Sequence, residues 1–154
     1  MRGQIHIALL SSLAELVLDA KASLSISGVA IHARVNLETI KSDRTVMPGS
    51  GTISRYEPPN GPGVRTDGFG YVGYNTSTAF DSLLAKVIVY ERSAQFEDAA
   101  RKTIRAHSEF HLEGVRNNIS FVKNIIHYRD CIEGAITTRW AATQTGQFTA
   151  DRKG

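Results

Sequence analysis

The chain has 154 residues, 42% of them hydrophobic, with a net charge of +3 and a single cysteine. That is enough apolar material for one domain of ordinary size with its own core, and it excludes wholesale disorder. The mild charge, with no long block of like charges, argues against a dedicated nucleic-acid surface. No apolar run approaches the roughly 20 residues of a membrane helix. One cysteine cannot form an internal disulfide, which leans the chain toward a reducing compartment.

Taken in chain order, Ile5, Leu9, Leu13, Leu16 and Val17 recur at helical spacing and predict an amphipathic helix ending near Leu18. The helix opens almost at Met1 without a capping residue, the pattern of a longer helix entered part-way. The stretch carries charge inside it and lacks a basic start ahead of an uncharged apolar block, so it does not read as a signal peptide.

VAIHARV, Val29 to Val35, is rich in β-branched residues and roughly alternating, and predicts a strand. Asn36 to Ser50 is polar and reads as turns, closed by Pro48, Gly49 and Gly51. Thr52 to Tyr56 predicts a second strand, Val64 to Thr66 a short third, and Leu83 to Tyr90 a fourth, mostly apolar and therefore central. Between them EPPNGPG excludes a helix or an interior strand. Beyond Glu91 the period changes. Ser93 is a candidate cap for a helix through Phe96, Ala99, Ala100, Thr103, Ile104 and Ala106. Phe110 to Val115 reads as a short strand or connector, and Asn117 or Asn118 as the cap of a helix through Ile119, Val122, Ile125 and Ile126. From Thr143 the chain is small and polar and is expected to fray. Strands first and helices later indicate the α+β class. The expected organisation is a helical lead-in over residues 1–27, a domain over 28–142 and a flexible tail over 143–154.

The chemistry concentrates between Gly61 and Tyr90. Arg65 lies in a short extended run between glycines. An arginine held on a strand can fix a small planar anion through two parallel hydrogen bonds, while the duller reading is a solvated arginine on an edge strand. Lys86, inside an apolar strand, either snorkels to water or pairs with a carboxylate, for which Asp81 is the nearby candidate. Gly68, Gly70 and Gly73 have the spacing G-x-G-x-x-G, but YNTSTAF after Gly73 does not open a helix, so a glycine-rich connection is the better reading. His107 and His111 stand four apart without a glutamate directly after the first, a weak metal signature. Cys131 has no base beside it and reads as a small buried apolar residue.

The collinear runs GVAIHARVN, PGSGTISRYEPPNGPGVRTDG, YVGY and FDSLLAKVIVY, then Glu109 to Val122 and GAITTRW, resemble the C-terminal domain of biotin carboxylase from Gly28 to Trp140. The lead-in also resembles the segment that joins this domain to the catalytic core in acyl-CoA and pyruvate carboxylase-type chains. The resemblance implies an α+β fold with a small antiparallel sheet and flanking helices, and it implies part of a ligase. That ligase activates bicarbonate with ATP through carboxyphosphate and carboxylates biotin carried on a tethered domain. It implies biotin, ATP and Mg2+ as cofactors of the parent enzyme, none of them bound by this chain alone, because the ATP-grasp motifs do not occur in it. It implies an ATP-grasp region and a biotin carboxyl carrier domain as partners, a homodimer as a further one, no nucleic acid and no membrane. The expected setting is the cytoplasm or, in a eukaryote, the mitochondrial matrix.

By the same resemblance Arg65 matches the arginine of the family's glycine-valine-arginine run, which contacts bicarbonate and biotin and stabilises the biotin enolate. Asp81, Ser82 and Lys86 match an aspartate-serine-leucine-leucine-alanine-lysine run that supports the site. Ala79 and Phe80 depart from two tyrosines usual in the family, and Leu37 to Met47 matches poorly. The isolated chain is expected to be inactive. Two other readings stand beside this one: a binding or regulatory module that kept the fold without catalysis, and a dimerisation module.

Overall fold

The structure, a computed structural model, describes residues 2–9, 12, 27–77, 81–137, 139–140 and 143–144. It is α+β, as the order of elements predicts. The central feature is a three-stranded antiparallel sheet in the order β1-β8-β6, formed by β1 (Val29–Asn36), β8 (Leu83–Glu91) and β6 (Val64–Gly68). Side chains alternate between faces along a strand, and residues paired across strands share a face. On β1 the alternation is nearly regular: Ala33 and Val35 are buried, whereas Ala30, His32 and Arg34 are exposed. Val87 and Val89 of β8 are fully buried on the same side as Ala33 and Val35.

Helix α2 (Phe96–Glu109) covers that side. Its contact stripe is Ala99, Ala100, Thr103, Ala106 and His107. Three alanines let the helix axis come close to the strands, and they leave the bulk of the core to β1 and β8. Helix α3 (Ile119–His127) packs on α2 and touches the end of β1, burying Ile119 and Ile126, and α4 (Arg129–Ile132) follows it. The apolar cluster joins Val35, Leu84, Val87 and Val89 of the sheet to Ile53, Phe110 and Leu112. Each large aliphatic side chain fully removed from water stabilises by about 1.5–3 kcal/mol.

A register shift between Val35 and Asn36 places Ala85 opposite the first and Leu83 opposite the second. Leu84 is the extra residue of this bulge, and the break in alternation lets both Leu84 and Ala85 be buried. The bulge bends β8 just after Asp81 and Ser82.

Three two-stranded ribbons surround the sheet. They depart from the sequence expectation in two ways. Asn36 to Ser50 is not all turns: β2 (Glu38–Ile40) pairs with β3 (Val46–Pro48). The strand expected over Thr52 to Tyr56 is split into β4 (Gly51–Thr52) and β5 (Arg55–Glu57), because the chain changes partner there. β4 pairs with β7 (Asn75–Thr76), and β5 pairs with β9 (His111–Glu113). Ile53, fully buried, sits at the switch and exchanges backbone hydrogen bonds with the Tyr74 region.

Helix α1 (Arg2–Ala8) is present at the start of the predicted lead-in, with Ile5, Ile7 and Leu9 exposed. Leu13, Leu16 and Val17, like Ala79, Phe80 and residues 145–154, lie outside the described residues. Among the described residues no helix is long and apolar enough to cross a membrane.

Ser93 is not the N-cap of α2. Gln95 takes that position, and the Ser93 hydroxyl instead accepts the Gln95 N–H at 3.1 Å. Asn118 is the N-cap of α3, but its side chain turns away from the helix, as described below.

Candidate anion-binding face

The face of the sheet opposite α2 carries the site. Register sets its two rows. Ile88 stands between His32 of β1 and Arg65 of β6, and Lys86 stands between Arg34 of β1 and Asp67 of β6. Arg34, Arg65 and Lys86, which lie 52 positions apart at the extremes of the sequence (34 to 86), therefore converge on one open surface.

Arg65 is exposed over 70% of its side chain and Asp67 over 50%. The Asp67 carboxylate accepts a hydrogen bond from Arg65 Nη2 at 2.9 Å, the two residues being neighbours on one face of β6. Among the described residues the Nε and Nη1 hydrogens of Arg65 have no other acceptor. One edge of the guanidinium is thus held and the other is open, which is the geometry for taking a planar anion bidentately.

β6 is positioned by close backbone packing at its start. The Tyr90 N–H donates to the Gly63 carbonyl at 2.7 Å, and Lys102 Nζ donates to the Tyr90 carbonyl at 3.0 Å. A Cβ on Gly63 would come within 2.4 Å of the Tyr90 carbonyl oxygen, and the residue has φ +71, so glycine is required twice over. At the other end, a Cβ on Gly70 would come within 2.5 Å of the Tyr56 ring. That ring packs edge-on against Phe110.

The predicted supporting residues are placed differently from one another. Asp81 does not pair with Lys86. Its two carboxylate oxygens instead accept from Nη2 of Arg34, at 3.2 and 3.3 Å, and one of them also accepts the Leu83 N–H at 3.0 Å, so it closes the turn into β8. The physical reason is direction: Lys86 lies beyond the bulge and projects between Arg34 and Asp67, while Asp81 reaches sideways to β1.

Ser82 donates to Glu38 Oε2 at 2.9 Å, and Asn36 Nδ2 donates to Glu38 Oε1 at 2.8 Å. Asn118 completes the brace, accepting the Asn36 N–H at 2.9 Å and donating to the Arg34 carbonyl at 3.2 Å. The brace ties β1, β2, the entry to β8 and the start of α3 together beneath Arg34. Sequence reading missed Arg34 and Asp67. Both carry the period-two signal, Arg34 two residues after His32 and Asp67 two after Arg65.

The other candidates do not join this face. Gly68 ends β6, and Gly70 and Gly73 lie in a connection leading to β7, so the glycine spacing opens no helix. His107 is buried in α2 while His111 is exposed on β9. No group of three or more His, Cys, Asp or Glu side chains that could hold a metal ion occurs among the described residues. Cys131 is buried, and burial raises its thiol pKa, which keeps it in the unreactive form. A cleft of about 460 Å³ lined by Pro62, Glu91, Arg101, Lys102 and Arg105 lies elsewhere, at the end of β8 against α2.

Residues 32–143 match the family model of the biotin carboxylase C-terminal domain. The chain is 35% identical over 116 residues to biotin carboxylase 1 of Bacillus subtilis, covering 75% of this chain and 25% of that protein. It is 33% identical over 141 residues to human mitochondrial pyruvate carboxylase, covering 91% of this chain and 12% of that protein. The chain thus spans a quarter or less of the length of these relatives. Among solved structures, it superposes on the biotin carboxylase domain dimer of 2-oxoglutarate carboxylase from Hydrogenobacter thermophilus with a TM-score of 0.74. That match has 31% identity and covers 82% of this chain and 27% of the other, and the structure holds MgADP, ADP and bicarbonate.

Proposed function

The chain belongs to the family of biotin carboxylase C-terminal domains, and from that membership we propose that it forms one wall of a biotin carboxylase site and presents Arg65 to the reactants. The observation that carries the proposal is the half-open guanidinium, exposed on the free face of the sheet with one edge held by Asp67. Under this proposal that open edge donates to bicarbonate and to the ureido oxygen of biotin. A guanidinium fixed where negative charge develops lowers the barrier electrostatically, and loss of one such donor costs about 2.7–4 kcal/mol of transition-state stabilisation.

Bound ATP and Mg2+ supply the activation of bicarbonate in the parent enzyme. The described residues of this chain gather no carboxylate set for the metal. The role proposed for this chain is therefore to hold the oxyanion. The partners under this reading are an ATP-grasp region, a biotin carboxyl carrier domain and a second copy of the carboxylase component. The setting is the cytoplasm or the mitochondrial matrix. Asp81, Ser82 and Lys86 support the site, the first two through Arg34 and Glu38 and the last by adding positive charge beside Asp67.

The test is complementation. The purified chain is mixed with the separately expressed ATP-grasp part of a related biotin carboxylase, and bicarbonate-dependent ATP cleavage is followed with free biotin. The mixture is expected to turn over, Arg65→Ala to reduce the rate about 10²–10³-fold, and the chain alone to be inactive. Equal rates with wild type and Arg65→Ala, or ATP cleavage by the chain alone, overturn the proposal.

A further inference from the structure

Asp67 holds one edge of Arg65, but an anion-binding role does not explain why the group that holds it carries a full negative charge. Its carboxylate accepts from Arg65 Nη2 at 2.9 Å and stands across the strand pair from Lys86, so it lies between two of the three cations of the face. Structural need does not account for it, because an ion pair with both side chains at least half exposed contributes little to stability. Nor does it close the site, since the other edge of Arg65 stays open. What it does alter is the charge seen by anything that approaches. Without Asp67, Arg34, Arg65 and Lys86 would face a single carboxylate, Asp81, which is itself taken up by Arg34. Such a cluster attracts multiply charged anions most strongly, phosphate above all.

We propose that Asp67 is a specificity-determining residue: its fixed negative charge beside the open edge of Arg65 admits a singly charged planar oxyanion and turns away doubly charged phosphate. The inference rests on the anion-binding reading of Arg65 and adds selectivity to it. The physical basis is that repulsion from one fixed charge scales with the charge of the ligand. At about 4–6 Å in water, one like charge weakens binding of a monoanion about threefold to fivefold, and binding of a dianion by the square of that factor. Both charges lie well within one Debye length, so physiological salt reduces the effect without abolishing it.

The experiment uses the full 154-residue chain, labelled with nitrogen-15. The Arg65 Nε–H resonance is assigned by its loss in Arg65→Lys. Its shift is then followed while sodium bicarbonate or sodium phosphate is added near pH 8 at constant ionic strength, in wild type, Asp67→Asn and Asp67→Glu. Asparagine keeps an oxygen to accept from Arg65 and removes only the charge.

In Asp67→Asn the bicarbonate affinity is expected to rise about threefold to fivefold and the phosphate affinity about tenfold to twenty-fivefold. The preference for bicarbonate therefore falls about threefold to fivefold. Asp67→Glu restores the wild-type preference. If both anions shift Arg65 and their ratio is the same in wild type and Asp67→Asn, the role of Asp67 is wrong and the reading of Arg65 stands. If neither anion shifts Arg65 in any of the proteins, the anion-binding reading fails, and the selectivity inference with it.

Discussion

His107 makes stability depend on pH in a direction and window that can be worked out. It lies in α2 with 1% of its surface exposed. Its Nδ1 is 2.9 Å from the Thr103 carbonyl, which can only accept, so Nδ1 carries the hydrogen and Nε2 holds the lone pair. Nε2 is buried without a hydrogen-bond partner among the described residues. Burial, the largest cause, lowers the pKa below its ordinary value of 6.5; the Thr103 hydrogen bond opposes it with a smaller effect, and the Lys123 charge adds a smaller lowering still.

A histidine with a depressed folded pKa is neutral in the fold and takes up a proton more readily when unfolded. Its contribution to stability is complete above the unfolded pKa and is lost as pH falls below it, with a limiting slope of about 1.36 kcal/mol per pH unit. Between pH 7.5 and 5.5 the loss is at most about 1.4 kcal/mol. The carboxylates whose pKa values are lowered, Asp43, Glu57, Glu91 and Asp98, lose their contributions only in more acidic solution and leave this window clear.

Urea denaturation at three pH values across the window measures the loss. His107→Leu fills the space without titrating and is expected to flatten the profile. An equal slope in wild type and His107→Leu, or a wild type that gains stability on acidification, would refute the argument.

Three further outcomes follow from packing. Leu84→Ala empties a fully buried position at the bulge of β8 and is expected to cost about 2–5 kcal/mol in urea or thermal unfolding. Gly70→Ala pushes a methyl group to within 2.5 Å of the Tyr56 ring. It is expected to cost about 1–3 kcal/mol and to shift the Tyr56 and Phe110 ring resonances. Arg34→Ala removes an exposed pair with Asp81 and is expected to cost less than about 1 kcal/mol, a larger loss showing that the Arg34 stem also packs.

Much of the fold was legible because its signals are local. The alternation of VAIHARV, the apolar run of LLAKVIVY and the three-and-four spacing of Ala99, Ala100, Thr103 and Ala106 each describe one element and its buried side. The β2–β3 ribbon was not legible. Its strands are three residues each, too short to show an alternation, and one of them ends on Pro48; only their pairing makes them strands. The break at Ile53 and Ser54 was invisible for a related reason, since TISRY is a good strand sequence that happens to serve two different partners. In the site, Arg65 stood out by its glycine surroundings. Arg34 did not, because the carboxylate it meets lies 47 positions away.

The amino-acid sequence by itself determined which residues each strand shows to either side, which helix stripe is buried, and that an arginine would stand on a glycine-bounded strand. These follow from steric periodicities that every strand and helix obeys on its own. Only the tertiary structure decided that Arg34, Lys86, Arg65 and Asp67 share one open face in adjacent rows, and that Asp81 answers Arg34 and not Lys86. Register is a property of pairs of strands. Here it is set by burial of Ala33, Val35, Val87 and Val89 against α2, and a slip of one residue would turn the charged row into the core.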